Sequence, residues 1–219
     1  LIPESHVYCQ NQNLSVVIRL GGFHALMSFL GSLGVMMAES GLEELLEEVY
    51  APNFVRNMMS GKEVSRAVRA LLRDLLFSSP EFLQFSEKLQ NLKKTLKTRS
   101  RTCELWLLYI FYVDVMKSFI HAERTNNWKM HISCMTEMLN LFAATGHNSY
   151  AKCGRLYVEQ MRKLEVNHPP LFEKFQEGHH SVRRVQKIWN GIWTDLSIEQ
   201  TLIRSIKSRG GLAIEVYLK

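Results

Sequence analysis

The sequence contains little proline, glycine and cysteine, and each scarcity narrows the possible folds. Among its 219 residues are 5 prolines and 12 glycines, which leaves long uninterrupted stretches and favours helices over a turn-rich β fold. The four cysteines are scattered and form no C-x-x-C pair, so a disulfide scaffold is not expected. We therefore expect an intracellular protein, nuclear or cytoplasmic, in a reducing compartment.

Long apolar runs are also missing. The most apolar stretch, LWLLYIFYV at residues 105–113, is followed at once by Asp114. Since about 20 apolar residues are needed to cross a bilayer, we expect no membrane partner. Hydrophobic residues make up 46% and charged residues 22%, which is the balance of a soluble globular protein. We expect one domain over residues 1–219 with a buried core.

Motifs for phosphate binding and nucleophilic catalysis are absent as well. The segment LSVVIRL, residues 14–20, predicts a strand, and Gly21-Gly22 separates it from a predicted helix. This order also occurs in phosphate-binding loops, but neither G-x-G-x-x-G nor a G-K-S/T ending is present. No Ser-His-Asp or Cys-His arrangement can be argued from the spacing. No cofactor is therefore expected.

What the sequence does contain is a succession of segments with helical spacing and end signals. From residue 42 onward the pattern is helical, with Ser60 and Glu63 spaced as a capping box that opens one helix and Pro169-Pro170 as the break after another. The predicted helices lie at about residues 23–38, 60–77, 79–98, 103–124, 127–144, 148–165, 171–177 and 194–208, with a closing strand at 212–219. The expected fold is mostly α, a single helical domain with one or two short strands near the termini.

Helix 103–124 is apolar nearly all round, as a central helix should be. Its polar residues, Asp114, Lys117, Ser118 and His121, form one stripe, in which Asp114 and Lys117 should pair at i,i+3 spacing. Such a stripe either lines a cleft or faces solvent, and we favour solvent.

Two carboxylates in the last predicted helix, within IWTDLSIEQTLIRSIK at residues 192–207, occupy apolar positions. Asp195 and Glu199 project into the middle of its apolar face. Burying an ionised carboxylate is costly unless it is paired or metal-bound. In the favoured interpretation, Asp195 interacts with the helix dipole and Glu199 forms a buried ion pair with Arg124. In the alternative, Asp195 and Glu199 are catalytic and bind Mg²⁺ or Mn²⁺.

Several histidines have neighbours that raise the question of a metal site. His131 and Cys134 lie three residues apart on a predicted helix, and His179 and His180 are adjacent, but neither set completes a four-ligand zinc pattern. His147 lies in a connection between helices. We expect structural or surface roles for all of them, and no metal site.

The net charge of +6 is unevenly distributed. Segment 39–48 carries five glutamates and no basic residue, whereas two other regions are strongly basic. The candidate nucleic-acid-binding residues in those regions are Lys93, Lys94, Lys97, Arg99, Arg101, Arg183, Arg184, Lys187, Arg204 and Lys207. Solvated helix faces are the simpler interpretation, and an anionic partner is the alternative.

Several phrases together resemble a family of uncharacterised animal proteins associated with transposons: RLGGFHALMSFLGSLG, VYAPNFVRNMMSGKEVSRAVRALL, FIHAERTNNWKMH, FAATGHNSYAK and TDLSIEQTLIRSIK. The resemblance covers almost the whole chain. It implies a relation to RNase H-like transposase cores, in which acidic residues on strands and on a final helix bind two metal ions. The chain would then be the C-terminal part of an RNase H-like α/β core.

Transferred to this sequence, the resemblance makes Glu199 the helix-borne acid and Asp195 its neighbour. Strand 14–20 would be a core strand, yet it offers no aspartate, and the acidic DQP-type segment expected upstream is missing. The resemblance therefore implies a piece of a longer protein or a domesticated, inactive one, and catalysis by this chain alone is not expected.

The function expected from the sequence is that of a transposon-derived, non-catalytic protein that binds nucleic acid through basic helices and loops. One alternative is a helical protein–protein interaction module, which the acidic segment 39–48 and the ten methionines favour. A second alternative is a metal-dependent nuclease or transposase that uses Asp195 and Glu199.

Overall fold

The computed structural model describes residues 17, 19–62, 64, 67, 68, 70, 100–180, 183–185, 188, 189 and 191–193. We number the described helices α1 Gly22–Met36, α2 Leu42–Glu47, α3 Pro52–Met59, α4 Arg101–Thr125, α5 Trp128–Ala144, α6 Asn148–Arg162, α7 Leu164–Asn167 and α8 Pro169–Gln176. Strands β1 Arg183–Val185 and β2 Ile188–Trp189 pair antiparallel and precede a 3₁₀ turn at Gly191–Trp193. The prediction of a mainly α fold is confirmed for this part of the chain.

The predicted strands and the last predicted helix lie mostly outside the residues that the structure describes. Of segment 14–20 only Val17, Arg19 and Leu20 are described, and none of them belongs to a strand. The predicted helices at 79–98 and 194–208 and the strand at 212–219 lie outside the described residues. None of the described helices is long and apolar enough to cross a membrane.

Helix ends follow the local signals in most places. Asn127 caps α5, since its side chain accepts a hydrogen bond from the backbone N–H of Met130 at 3.1 Å. Gly146 follows α5 with a φ of 76°, a conformation that suits glycine. The prediction that Pro169 and Pro170 break a helix is only half right, because α8 begins at Pro169, where proline's fixed φ favours a first turn.

Ser60 contradicts its predicted role as the first residue of a capping box. It ends α3 instead of opening the next helix, and its hydroxyl donates to the backbone carbonyl of Asn57 at 3.0 Å. Serine bonds the preceding turn as readily as the following one, so its spacing to Glu63 did not decide between them.

The core lies where α1, α4 and α5 meet. The ring of Phe29 packs edge-on against Tyr112 at 5.9 Å and against Phe142 at 6.2 Å between centroids. Helix α5 also packs along α6, so the helices from α4 to α6 form a continuous layer under α1. Asp114 and Lys117 on the outer side of α4 are 3.5 Å apart, with Asp114 exposed and Lys117 half-buried, which confirms their pairing.

The 3₁₀ turn Gly191–Trp193 packs against the junction of α1 and α4. A Cβ atom on Gly191 would lie 3.3 Å from Cγ of Arg124, and the ring of Trp193 packs 5.3 Å from that of Phe23. These contacts place the 3₁₀ turn against the last turn of α4 and the first turn of α1.

Two glycines allow α1 to approach α3. A Cβ atom on Gly34 would lie 2.0 Å from the carbonyl oxygen of Met59. Gly61 has a φ of 77°, and a Cβ atom there would lie 2.2 Å from the carbonyl oxygen of Met27. Because both obstacles are backbone atoms, the helices would have to move apart to admit a side chain.

We predict that Gly34→Ala lowers the free energy of unfolding by about 1–3 kcal/mol, the usual cost of overpacking. The loss should appear although alanine gains roughly 1 kcal/mol of helix propensity over glycine. The matched control is Gly31→Ala on the same helix, where the nearest atom would be 3.4 Å away and stability should change little or rise. Urea unfolding measures both, and a Gly34→Ala protein as stable as the wild type would contradict the close approach.

A buried polar cluster and a cationic groove

Glu123 is a fully buried carboxylate on the inner face of α4. It continues the apolar series Met116, Phe119 and Ile120 at helical spacing, and its side chain is 0% exposed. An unpaired carboxylate in such a place would be strongly destabilising, so its partners explain how it is tolerated.

Two side chains meet the same oxygen of Glu123. Nη2 of Arg19 and Nδ1 of His131 each lie 2.6 Å from Oε1. Burial alone would raise the pKa of Glu123, but the contacts with His131 and Arg19 outweigh it and hold the pKa at about 2. Glu123 is therefore ionised at neutral pH and pairs with the guanidinium of Arg19.

His131 on α5 connects this pair to Tyr157 on α6. Its Nε2 lies 3.0 Å from the hydroxyl of Tyr157 on α6, and its ring stacks on Trp128 at 5.4 Å between centroids. Burial lowers the pKa of His131 and raises that of Tyr157, so the imidazole is neutral and the phenol keeps its proton. Tyr157 then donates to Nε2 and the remaining ring proton sits on Nδ1.

The contact between His131 and Glu123 is short but bent. Nδ1 is buried and has no well-aligned hydrogen-bond acceptor, although Oε1 is 2.6 Å away. We therefore treat it as an attraction between the ring dipole and the carboxylate charge. The resulting chain of contacts links Tyr157 on α6, His131 on α5, Glu123 on α4 and Arg19 before α1.

His180 lies on the far side of Trp128. Its Nδ1–H donates to the carbonyl oxygen of Phe175 at 3.0 Å, and its ring lies 5.0 Å from that of Trp128. Burial, aided by the charge of Arg19, lowers the pKa of His180 to about 4. His180 is thus neutral at physiological pH, and its exposed neighbour His179 lies 3.6 Å from Glu177.

The buried polar cluster, which we define as Arg19, Glu123, His131, Tyr157 and His180, has a structural rather than a catalytic geometry. Glu123 and His131 are 0% exposed and Tyr157 is 4% exposed, so no substrate reaches them. A Cβ atom on Gly22 would lie 2.7 Å from Oε2 of Glu123, so any other residue there would force the carboxylate to shift. The cluster joins the segment before α1 to α4, α5 and α6.

We predict that Glu123→Gln destabilises the protein by about 3–5 kcal/mol, because the guanidinium of Arg19 loses its counter-charge in a buried place. The control is Asp114→Asn on the same helix, which breaks the exposed pair with Lys117 and should change stability very little. Chemical denaturation measures both variants. Equal, small effects would show that the buried pair contributes no more than a surface pair.

Acid should weaken the fold through His180 before it affects Glu123. Both pKa values are depressed in the folded state, so each contribution is present above the unfolded pKa and is lost as the pH falls. For His180 the window runs from 6.5 down to about 4, and for Glu123 from 4.5 down to about 2. His131, also depressed, acts in the same direction as His180.

We predict that His180→Phe flattens the pH dependence of the free energy of unfolding between pH 6.5 and about 4. The depressed pKa corresponds to about 3 kcal/mol across that window, and phenylalanine keeps the ring packing without the titration. His121→Gln, at an exposed position of α4, is the control. If the variant and the wild type lose stability in parallel, His180 does not supply the acid sensitivity.

His147 has the structural role expected of it. Its Nδ1 lies 3.0 Å from the hydroxyl oxygen of Ser32 and 3.1 Å from that of Thr145. The Thr145 hydroxyl donates to the carbonyl of Leu141, so it acts as an acceptor for Nδ1–H. Ser32 is 0% exposed, so this serine–histidine contact fastens α1 to the α5–α6 connection and offers no nucleophile.

The structure places some of the sequence-predicted residues and leaves others outside the described part. Asp195 and Glu199 lie outside it, as do Lys93, Lys94, Lys97, Arg99, Lys187, Arg204 and Lys207. Arg101 is exposed at the start of α4, and Arg183 and Arg184 form β1. Arg124 is exposed at the end of α4, and its pairing with Glu199 stays a prediction.

The metal-ligating alternatives have little geometric support among the described residues. No group of three or more histidine, cysteine or acidic side chains is arranged there to hold a metal ion. Both ring nitrogens of His131 face protein partners, and burial raises the pKa of Cys134 to about 11, so its thiol stays protonated.

An open groove of about 660 Å³ lies between α5 and α6. Its residues are Thr136, Leu139, Asn140 and Ala143 from α5, and Asn148, Ala151, Lys152, Arg155, Val158, Glu159, Arg162 and Lys163 from α6 and its end. We call it the cationic groove, because four of its side chains are basic and one is acidic. A Cβ atom on Gly154 would lie 2.7 Å from Cδ2 of Leu139, so α6 lies close to α5 at that point.

Two of the four groove cations already have partners. Nη2 of Arg162 donates to the hydroxyl of Thr136 at 3.2 Å, and Nζ of Lys163 lies 2.8 Å from Oε1 of Glu159. The hydrogen bond from Lys163 lowers the pKa of Glu159. Lys152 and Arg155 are exposed and make no hydrogen bond with the described residues, although the charge of Arg155 also helps to lower the pKa of Glu159. The groove can therefore bind an anion by charge and by side-chain N–H groups.

Sequence reasoning missed both sites, although each had a signal. Glu123 on α4 and His131 on α5 occupy positions where the helical spacing calls for apolar residues. On α5, His131 lies in the same buried stripe as Trp128, Cys134 and Met135. The groove cations recur on one face of α6 rather than as a run, so a search for basic runs passed over them.

Comparisons with known proteins give one match. A family model described as Domain of unknown function (DUF8702) matches residues 5–79 and 73–216. No curated protein and no solved structure matches the chain. The matched ranges contain every residue of the buried polar cluster and of the cationic groove.

Proposed function

We propose that this chain, which belongs to the family described as DUF8702, binds nucleic acid through the cationic groove between α5 and α6. The observation that carries the proposal is the excess of basic side chains in an open groove, four against one acid. Phosphate neutralisation by lysine and arginine supplies most of the affinity of non-specific nucleic-acid binding.

The spacing of the cations suits a linear polyanion. Lys152 and Lys163 are eleven residues apart in sequence, which on a helix corresponds to about 16 Å. A nucleic-acid strand in a duplex carries one phosphate for every 3.4 Å or so of rise along the axis, and because the strand winds around that axis its phosphates are spaced more widely than this, so more than one of them fits along the groove. Arg155 and Arg162 lie between these ends, and Arg162 is already oriented by Thr136.

Other predictions from the sequence would extend this proposal, and the described residues do not test them. The basic clusters at 93–101 and 183–207 would add phosphate contacts. The transposon origin and the RNase H-like relation stay predictions. So does the nuclease alternative, in which Asp195 and Glu199 would require Mg²⁺ or Mn²⁺.

A protein-interaction module is the second candidate function, and one observation favours it. Helix α2 and the residues after it expose apolar side chains beside acidic ones, with Leu45 50% and Val49 66% exposed near Glu44 and Glu48. Grouped exposed apolar side chains rimmed by polar ones mark contact sites for other proteins.

We predict that Lys152→Gln combined with Arg155→Gln weakens nucleic-acid binding severalfold and makes the slope of log K against log salt less negative by roughly two units. Glu159→Gln should do the opposite and strengthen binding, because it removes the one acid of the groove. Fluorescence anisotropy with labelled oligonucleotides at several salt concentrations measures the affinity and the slope.

The charge-matched control is Lys117→Gln combined with Lys174→Gln, which removes two lysines from α4 and α8. If both double variants lose affinity equally, binding depends on net charge alone and the groove is not the site. If the wild type binds no nucleic acid even at low salt, the interaction module becomes the better account.

A further inference from the structure

We infer that the cationic groove holds one backbone strand of a double helix and reads no base sequence. The inference rests on the proposed function and names the class of nucleic acid that the same site binds. It follows from the concave shape of the site, from the side chains that line it and from the positions of its cations.

The groove has the wrong shape for reading base edges. Base edges lie at the floor of the duplex grooves, and a protein reaches them by inserting a convex element such as a helix or a β-ribbon. The site between α5 and α6 is the reverse, a cleft whose lining includes the apolar side chains of Leu139, Ala143, Ala151 and Val158. A cleft receives a ridge, and the ridges of a double helix are its two sugar–phosphate backbones.

The lining of the groove does not suit unpaired bases. Proteins that bind single strands commonly stack the bases on aromatic side chains, and none of the described residues that line this groove is aromatic. The tyrosines of α6 are used elsewhere, since Tyr157 is buried on His131 and the ring of Tyr150 packs 5.5 Å from Phe142. A flexible single strand would have to be ordered here without the compensation of stacking.

The polar groups of the groove are those that contact phosphates and sugars. Arginine, lysine, asparagine and threonine side chains make most backbone contacts in protein complexes with DNA. The groove presents its cations along α6, while α5 contributes Thr136 and Asn140 on the opposite wall. One strand that runs along α6 would meet the cations in turn, and where Arg162 already reaches Thr136 across the groove the strand would lie over both side chains.

The test compares short oligonucleotides of equal length with the intact chain by fluorescence anisotropy over a range of salt concentrations. The probes are two DNA duplexes of unrelated sequence, an RNA duplex, and a DNA single strand without self-structure. We expect the two DNA duplexes to bind within about twofold of each other, since phosphate contacts carry no sequence information. At least one type of duplex should bind about fivefold or more tightly than the single strand, with a steeper salt dependence.

The double variant Lys152→Gln, Arg155→Gln separates the two proposals. If it loses affinity while the single strand binds more tightly than both types of duplex, the groove binds nucleic acid but the inference about duplexes is overturned. A preference of more than tenfold for one DNA duplex over the other, lost in the variant, would also overturn it. If the variant binds every probe like the wild type, the proposed function itself fails.

Discussion

The burial of one carboxylate, that of Glu123, constrains the rest of the described structure. A charge at 0% exposure persists only with partners at short range, and here Arg19 and His131 both reach the same oxygen. Each partner comes from a different part of the chain, one before α1 and one on α5. The requirement to satisfy Glu123 therefore determines how these parts approach α4.

Helices α5 and α6 carry two residues of the buried polar cluster on one side and the cationic groove on the other. On α5, His131 faces inward while Thr136 and Asn140 line the groove, and on α6, Tyr157 faces inward while Arg155 faces outward. The hydrogen bond between His131 and Tyr157 crosses from one helix to the other. Contacts in the core thereby define the separation of the two walls that a ligand would meet.

The buried polar cluster and the cationic groove hold their charged side chains in different surroundings. Inside, one anion meets one cation and two neutral rings at close range in a low-dielectric setting, where a missing partner costs far more than a surface pair contributes. In the groove, the basic side chains are exposed and only partly paired, so water screens them and a polyanion can displace the water and counter-ions. The interior arrangement suits stability, and the exposed one suits reversible binding.

Much of the helical framework follows from signals that lie a few residues apart. Asn127 caps α5 through Met130, Gly146 allows the turn after it, and Asp114 meets Lys117 one turn away on α4. These features involve interactions within one or two helical turns, so spacing and residue type suffice to predict them. Ser60 shows the limit, because the same hydroxyl suits the end of one helix and the start of the next.

The sites, in contrast, depend on pairs that are distant along the chain. Arg19 and Glu123 are 104 positions apart, and His131 and Tyr157 are 26 apart. The sequence by itself determined where several of the described helices begin, which faces are apolar and that polar residues interrupt them. Only the tertiary structure decided which polar residues meet and which helix faces form a groove, because those outcomes depend on how separate helices pack rather than on the conformation of any one of them.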